Sequence, residues 1–146
     1  MEIMANTISH QQMKTDLTGK TALITGAGKR LGRECALALS MAGANIILHY
    51  NNSDKEAINL KEQIIDTGGK AWVIKYDLSN PDSIEKFIDH TWDISGGFDI
   101  LLNNASIFPE STIDSLSFEH LNQNIAVNAW APFALGREMN KRCKKG

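Results

Sequence analysis

Short, continuously apolar runs alternate along this chain with longer stretches in which apolar residues return every three or four positions. The runs are Thr21–Ile24 (TALI), Asn45–Tyr50 (NIILHY), Ala71–Tyr76 (AWVIKY) and Phe98–Leu102. Bounded by polar or glycine-rich sequence, they predict four buried strands. Between them Leu31, Cys35, Ala38, Leu39 and Ala42 recur at helical spacing. So do Ala57, Leu60 and Ile64, and then Ile84, Phe87, Ile88 and Thr91. Ser53 stands three residues before Glu56, a capping-box spacing that starts the second helix there, and Gly68-Gly69 ends it. Asn80 before Pro81 predicts an N-cap and a proline at the first helical position of the third helix, which runs to Gly96-Gly97. From Leu116 the chain reads as mostly helical, with a break at Ala131-Pro132.

Strands separated by helices of this length require a parallel sheet with right-handed crossovers. The expected class is therefore α/β: the N-terminal half of a Rossmann-type, doubly wound parallel sheet, strand order 3-2-1-4, with flanking helices. The stretch Met1–Asp16 is polar and aperiodic, so residues 1–18 are expected to be a flexible leader and residues 19–146 one nucleotide-binding domain. In that order the fourth strand lies at the sheet edge. Its apolar run Ile100-Leu101-Leu102 should then be covered by a partner copy, exchanged helices or a further polypeptide half.

Composition narrows the function classes. The 146 residues suffice for one domain with a real core and are short for two. A hydrophobic content of 42% and a charged content of 22% are ordinary for a globular protein. A formal net charge of −2 gives no general pull toward nucleic acid or an anionic membrane. No apolar run approaches membrane-spanning length, and the N-terminus reads without a secretory h-region. Cys35 and Cys143 are far apart and suggest no disulfide framework, so a reducing cytoplasm is the expected location. Cys35 reads as a small core residue and Cys143, among Lys141, Arg142, Lys144 and Lys145, as an incidental thiol on a solvated helix end. No metal is expected, because His10, His49, His90 and His120 show no ligand spacing with cysteines or carboxylates.

The chemistry is concentrated between the first strand and the first helix, where residues Thr25–Gly32 read TGAGKRLG. A buried strand, a glycine-rich turn and a helix opening make a site for a nucleotide's phosphates. Glycine lets the backbone approach the pyrophosphate, and the open N–H groups and helix dipole favour its negative charge. The end of the second strand addresses cofactor choice. Sites preferring NAD place an acid there for the ribose 2′-OH, whereas His49-Tyr50-Asn51-Asn52-Ser53 offers no carboxylate before Asp54. Hydroxyl, amide and imidazole donors, with Lys29 and Arg30 nearby, would instead suit a 2′-phosphate, so NADP(H) is the expected cofactor.

Together these motifs resemble the short-chain dehydrogenase/reductase family, and within it the pteridine-reductase branch. Thr25, Gly26 and Gly32 match the family's glycine motif, with Arg30 in place of the middle glycine. That replacement and the surrounding TG-x-x-KR-LG loop are similar to the pteridine reductases, as is the HY-x-x-S pattern from His49 to Ser53. The resemblance implies that Lys29, Arg30, Leu31 and Gly32 face the cofactor, with Arg30 also reaching the substrate. It implies that Asp77 and Leu78 contact adenine, and that Asn104, Ala105 and Ser106, from the stretch Asn103–Ser106 that is similar to the family's NNAG box, border the nicotinamide ribose. Phe108 would stack on a pterin-like ring. Asn128, in VNAWAPF, resembles the tetrad asparagine that distorts its helix and holds a water for a catalytic lysine.

The family's proton donor is a tyrosine followed four residues later by a lysine. Here the tyrosines are Tyr50 and Tyr76, followed at that distance by Asp54 and Asn80. The expectation is an NADPH-dependent reductase of a pteridine, dihydrofolate-like or other small carbonyl or imine compound, truncated before its catalytic segment and inactive alone. The alternatives are a noncatalytic nucleotide-binding or interaction module and one half of a split enzyme. A homo-oligomer is the expected assembly unless a C-terminal half completes the fold.

Overall fold

The computed structural model describes residues 15–143. The apolar runs become β1 (Thr21–Ile24), β2 (Asn45–Tyr50), β3 (Ala71–Lys75) and β4 (Ile100–Leu102). All neighbours pair in parallel, in the order β3-β2-β1-β4. The helices are α1 (Arg30–Met41), α2 (Asp54–Asp66), α3 (Ile84–Ser95), α4 (Phe118–Ile125) and α5 (Ala131–Cys143). Strand alternation sends Ala22, Ile24, Ile46 and Leu48 to one face, against Ala36 of α1 and Leu60 and Ile64 of α2. Leu23, Ile47 and Ile74 go to the other face, against Phe87 and Ile88 of α3 and Ala134 and Leu135 of α5. Helices on both faces leave the central strands no wet side, which is why their sequences are apolar throughout. Among the described residues β4 pairs only with β1, and its three residues are half-buried, as expected of an edge.

The predicted inner face of α1 is displaced. Gly32 and Ala36 are its buried residues, while Leu31 and Ala38 are exposed and Cys35 is only half-buried. Small side chains let the helix axis approach the sheet, and a pattern read from the larger residues Leu31 and Cys35 picks the neighbouring stripe. The capping box at Ser53 also fails to form. Ser53 precedes α2, but its side chain makes no cap hydrogen bond and Glu56 pairs with Lys29 at 2.8 Å. The third helix opens as expected, Asn80 Oδ1 accepting from the Asp82 N–H at 3.1 Å, through a 3-10 turn at Pro81–Ser83. β4 begins two residues late, because the Asp99 carboxylate first takes the Thr21 N–H at 2.9 Å.

No break occurs at Ala131-Pro132. α4 runs into α5 through a π-helical turn at Ala126–Trp130. Pro132 has no N–H to donate, and a widened turn accommodates both the lost bond and the ring. Most of the expected leader, residues 1–14, lies outside the described residues. Leu17 is fastened, its N–H donating to the Ala42 C=O at 2.7 Å and its side chain packing under α1.

At the seam between α3 and α5, Arg137, Lys141 and Arg142 lie over the Glu138 carboxylate at 3.1, 2.7 and 3.1 Å. The bond from Lys141 leads in holding that carboxyl below its usual range. Arg142 also reaches Asp89 of α3, tying the two helices. Beneath this pair Phe87 is fully buried, its ring 5.1 Å from that of His49 and 4.8 Å from that of Tyr76. Phe87→Ala is expected to lower the unfolding free energy by about 3–5 kcal/mol, measured as a lower urea midpoint at unchanged slope. A loss under about 1 kcal/mol, the scale of a surface change, would contradict this packing.

Candidate functional site

The carboxyl ends of β1, β2 and β4 and the exit of β3 meet at one rim of the sheet. Backbone groups there have no further strand to pair with, and side chains take them up. Thr25 Oγ1 accepts the N–H groups of Asn104 and Ala105, both at 3.0 Å. In return Asn104 Nδ2 donates to the carbonyls of Thr25 and Gly26 at 2.9 and 3.0 Å. Gly26 turns with φ +65°, and a Cβ added there would lie 2.9 Å from Ala105 Cα. At Gly32 an added Cβ would lie 2.4 Å from the Gly26 carbonyl and 2.6 Å from Asn104 Nδ2. The glycines are therefore required by contact between the turn and the loop after β4.

Above this floor α1 begins without a cap. Lys29 at the N-cap position offers no side-chain acceptor, and the first turn holds no acidic residue. Asp54 and Glu56 of α2, Glu85 of α3 and Glu119 of α4 supply the acids that usually offset a helix dipole. The first-turn N–H groups of α1 lack intrahelical acceptors, and its flanking charges are Lys29 and Arg30. Such an end suits an anion. Arg30 has φ +50°, a left-handed backbone that costs a non-glycine residue about 1 kcal/mol or more.

A cleft of about 640 Å³ opens beside this helix start. Of the residues singled out in the sequence, Gly26, Lys29, Arg30, Leu31, His49, Asn51, Asn52, Asp77, Leu78, Asn104, Ala105 and Ser106 line it. Leu31, one of the residues at helical spacing and one expected to face the cofactor, is 69% exposed and belongs to this wall. Gly32 lies buried beneath the turn. Tyr50 is buried at the end of β2 and Ser53 sits against Gly28, where an added Cβ would come within 2.5 Å of its Oγ. Phe108 is 94% exposed and is not brought to the cleft. Lys29 pairs with Glu56, whose carboxyl that bond holds below its usual range. Asp54, the first carboxylate after β2, pairs with Lys75 at 3.3 Å. Asp77 lines the cleft while its Oδ1 accepts from the Ser79 N–H at 2.9 Å.

Asn128 sits within the π-helical turn and outside the cleft lining. Its Oδ1 accepts from the Ile107 N–H at 2.9 Å and its Nδ2 donates to the Ile107 C=O at 2.8 Å. Sequence reasoning missed Ser79, Ile107, Gln123 and Val127 in the lining. The available signal was spacing: Gln123 and Val127 are four apart on one helix face, the second adjacent to Asn128.

The imidazole of His49 corrects one expectation. It is 2% exposed; Nδ1 accepts from the Gly26 N–H at 3.2 Å, and Nε2 lies 3.2 Å from the Tyr76 C=O. The first bond requires an unprotonated Nδ1, so Nε2 carries the hydrogen and donates to Tyr76. Both nitrogens are committed to the protein, leaving no imidazole donor for a 2′-phosphate. Burial pushes the His49 pKa down to about 4. Among the described residues no cluster of histidine, cysteine and carboxylate side chains could hold a metal, and no helix is long and apolar enough to cross a membrane.

Residues 20–146 match the short chain dehydrogenase family, and the chain belongs to it. The versicolorin reductase stcU of Emericella nidulans is 31% identical over 130 residues, covering 89% of this chain and 49% of its own length. The trihydroxynaphthalene reductase of Colletotrichum orbiculare is 33% identical over 130 residues, covering 89% and 46%. A short chain dehydrogenase from Burkholderia cenocepacia, solved in complex with NADP, superposes with a TM-score of 0.80 at 30% identity, over 86% of this chain and 51% of its own. The chain thus spans about half the length of the relatives it matches. The parallel order 3-2-1-4 with flanking helices matches that solved structure, as the sequence led us to expect.

Two outcomes test the site's construction. Gly32→Ala should cost at least about 2 kcal/mol of stability, the scale of an overpacked contact, and disorder the turn; unchanged stability and amide spectra would contradict the contact. Because the folded His49 pKa lies below its unfolded value, its stabilisation is complete above about pH 6.5 and is lost as pH falls toward 4. Urea unfolding should therefore weaken by about 3 kcal/mol across that window, and His49→Gln should flatten the slope; an equal slope in both proteins would exclude His49 as its source.

Proposed function

We propose that the chain supplies the NADP(H)-binding part of a reductase acting on a small carbonyl or imine compound, with residues 19–146 as its nucleotide-binding domain. The observation that carries this is the start of α1: uncapped, free of acids, flanked by two cations and floored by glycines with no room for a Cβ. It fits a dinucleotide's diphosphate without any change of residue type. In this reading Gly26, Leu31 and Gly32 shape the cradle, and Lys29 and Arg30 supply positive charge. Asn51, Asn52 and Ser53 meet the 2′-phosphate, with Tyr50 supporting them from the end of β2 and His49 in the cleft wall beneath. Asp77 and Leu78 border adenine, and Asn104, Ala105 and Ser106 the nicotinamide ribose. NADP in the Burkholderia cenocepacia structure supports this choice of cofactor. When bound, the reduced cofactor supplies hydride to the substrate carbon.

The pteridine- or dihydrofolate-type substrate is part of the proposal, resting on the KR-LG, HY-x-x-S and NNAS stretches. Versicolorin and trihydroxynaphthalene, in the relatives' names, extend the candidates to other ring compounds. Arg30 would reach such a substrate, and Phe108 would have to swing from its exposed position to stack on it. Asn128 would act through the loop it grips at Ile107. The Tyr-x-x-x-Lys pair that donates the proton in the resembled family is not among these 146 residues, where Tyr50 and Tyr76 are followed four residues later by Asp54 and Asn80; in this reading another segment supplies it. That same observation favours the second reading, a module that binds the nucleotide without turnover.

Titration with NADPH and NADH, followed by nicotinamide fluorescence, distinguishes the assignments. Ser53→Ala is expected to weaken NADPH about tenfold to a hundredfold, the scale of a lost charged hydrogen bond, and to change NADH much less; equal weakening of both would remove the 2′-phosphate assignment. Arg30→Gly is expected to weaken both cofactors and to raise stability by about 1 kcal/mol by relieving the left-handed backbone.

A further inference from the structure

We propose that His49 is a positioning residue for the nucleotide turn, its ring fixing the direction of Thr25–Gly28 and so the affinity for a dinucleotide whatever its 2′ substituent. This rests on the reading of the cleft as a dinucleotide site. Two successive amides of the turn end on this one residue of β2: the Gly26 N–H on Nδ1 at 3.2 Å and the Ala27 N–H on the main-chain carbonyl at 2.9 Å. The second bond needs only backbone; the first needs the ring. A left-handed glycine such as Gly26, at φ +65°, has wide conformational freedom, and a side-chain acceptor fixed from an adjacent strand removes it.

The ring itself cannot turn away. Its Nε2 is engaged by the Tyr76 C=O at 3.2 Å, and the Phe87 ring packs edgewise 5.1 Å from it. Tyr76 is anchored in turn by its hydroxyl, which donates to the Ser83 C=O at the entry to α3. A chain of contacts thus runs from α3 through Tyr76 and His49 to the Gly26 amide, and that amide is withdrawn from the anion cradle. The donors left for a diphosphate lie further on, at the start of α1, and their direction follows from where Gly26 is held.

The test compares His49→Phe, which removes the acceptor and keeps a buried ring, with His49→Asn, which offers an amide oxygen near the Nδ1 position. Binding of NADPH and NADH is measured separately. His49→Phe is expected to weaken both by the same factor, about tenfold for one organising buried hydrogen bond, and His49→Asn to recover most of the loss. A much larger loss for NADPH than for NADH would make the ring a 2′-phosphate ligand and overturn the proposal, as would unchanged affinity in His49→Phe. Should His49→Phe fail to fold, the imidazole nitrogen spectrum of the unmutated chain decides. A neutral ring with hydrogen on Nε2 and a slowly exchanging Gly26 amide is expected, and hydrogen on Nδ1 overturns the proposal. If the unmutated chain takes up neither dinucleotide, the reading of the cleft falls, while that spectrum still reports whether the ring holds the turn.

Discussion

A parallel sheet leaves a rim of backbone donors and acceptors at its carboxyl edge, and the rest of this structure depends on how those groups are satisfied. Two polar side chains do most of it. The Thr25 hydroxyl accepts from the chain leaving β4, and the Asn104 amide returns two bonds to the chain leaving β1. Because the exchange is reciprocal, the two crossover exits are locked at a spacing that only glycine can fill at positions 26 and 32. Removing either side chain would strand several buried polar groups together, a much larger loss than one hydrogen bond.

Electrostatics follow from that lock. With the turn held against the β4 exit, α1 begins beside the cleft, and its N-cap residue offers no side-chain acceptor to the first N–H groups. Three other helices place acids in their first turns. α1 has none and carries Lys29 and Arg30 in their place, an arrangement that leaves the dipole uncompensated until an anion arrives. Two carboxylates of α2 are engaged by lysines, Glu56 by Lys29, which offsets part of that cation's charge and leaves Arg30 to carry it, and Asp54 by Lys75.

The layers of the fold were legible because the sheet is covered on both sides, so each strand is announced by an unbroken apolar run and each crossover by helical spacing. The cleft was legible for a related reason: strand exits carry the chemistry, and TGAGKRLG, the residues after β2 and NNAS all fall at exits. What stayed hidden depended on the third dimension. The inner face of α1 is built from Gly32 and Ala36, whose smallness brings the helix close but leaves little hydrophobic signal. Ser53 has the sequence of a capping box, yet Glu56 answers a lysine from another element. His49 reads as a donor in a polar exit, and only its depth under Phe87 reveals a neutral acceptor. The proline at position 132 signals interruption, whereas a π-helical turn absorbs it.

The grip of Asn128 on both backbone groups of Ile107 has a mechanical consequence. Upstream of that point the segment leaving β4 is riveted on two sides, to the first turn by Thr25 and to the long helix by Asn128, and must travel with both. Downstream, residues 108–119 are all solvent-facing and meet no comparable restraint until the Ser117 cap at the entry to α4. Restraint from the two neighbouring elements therefore ends at Ile107, the last residue of this segment to line the cleft.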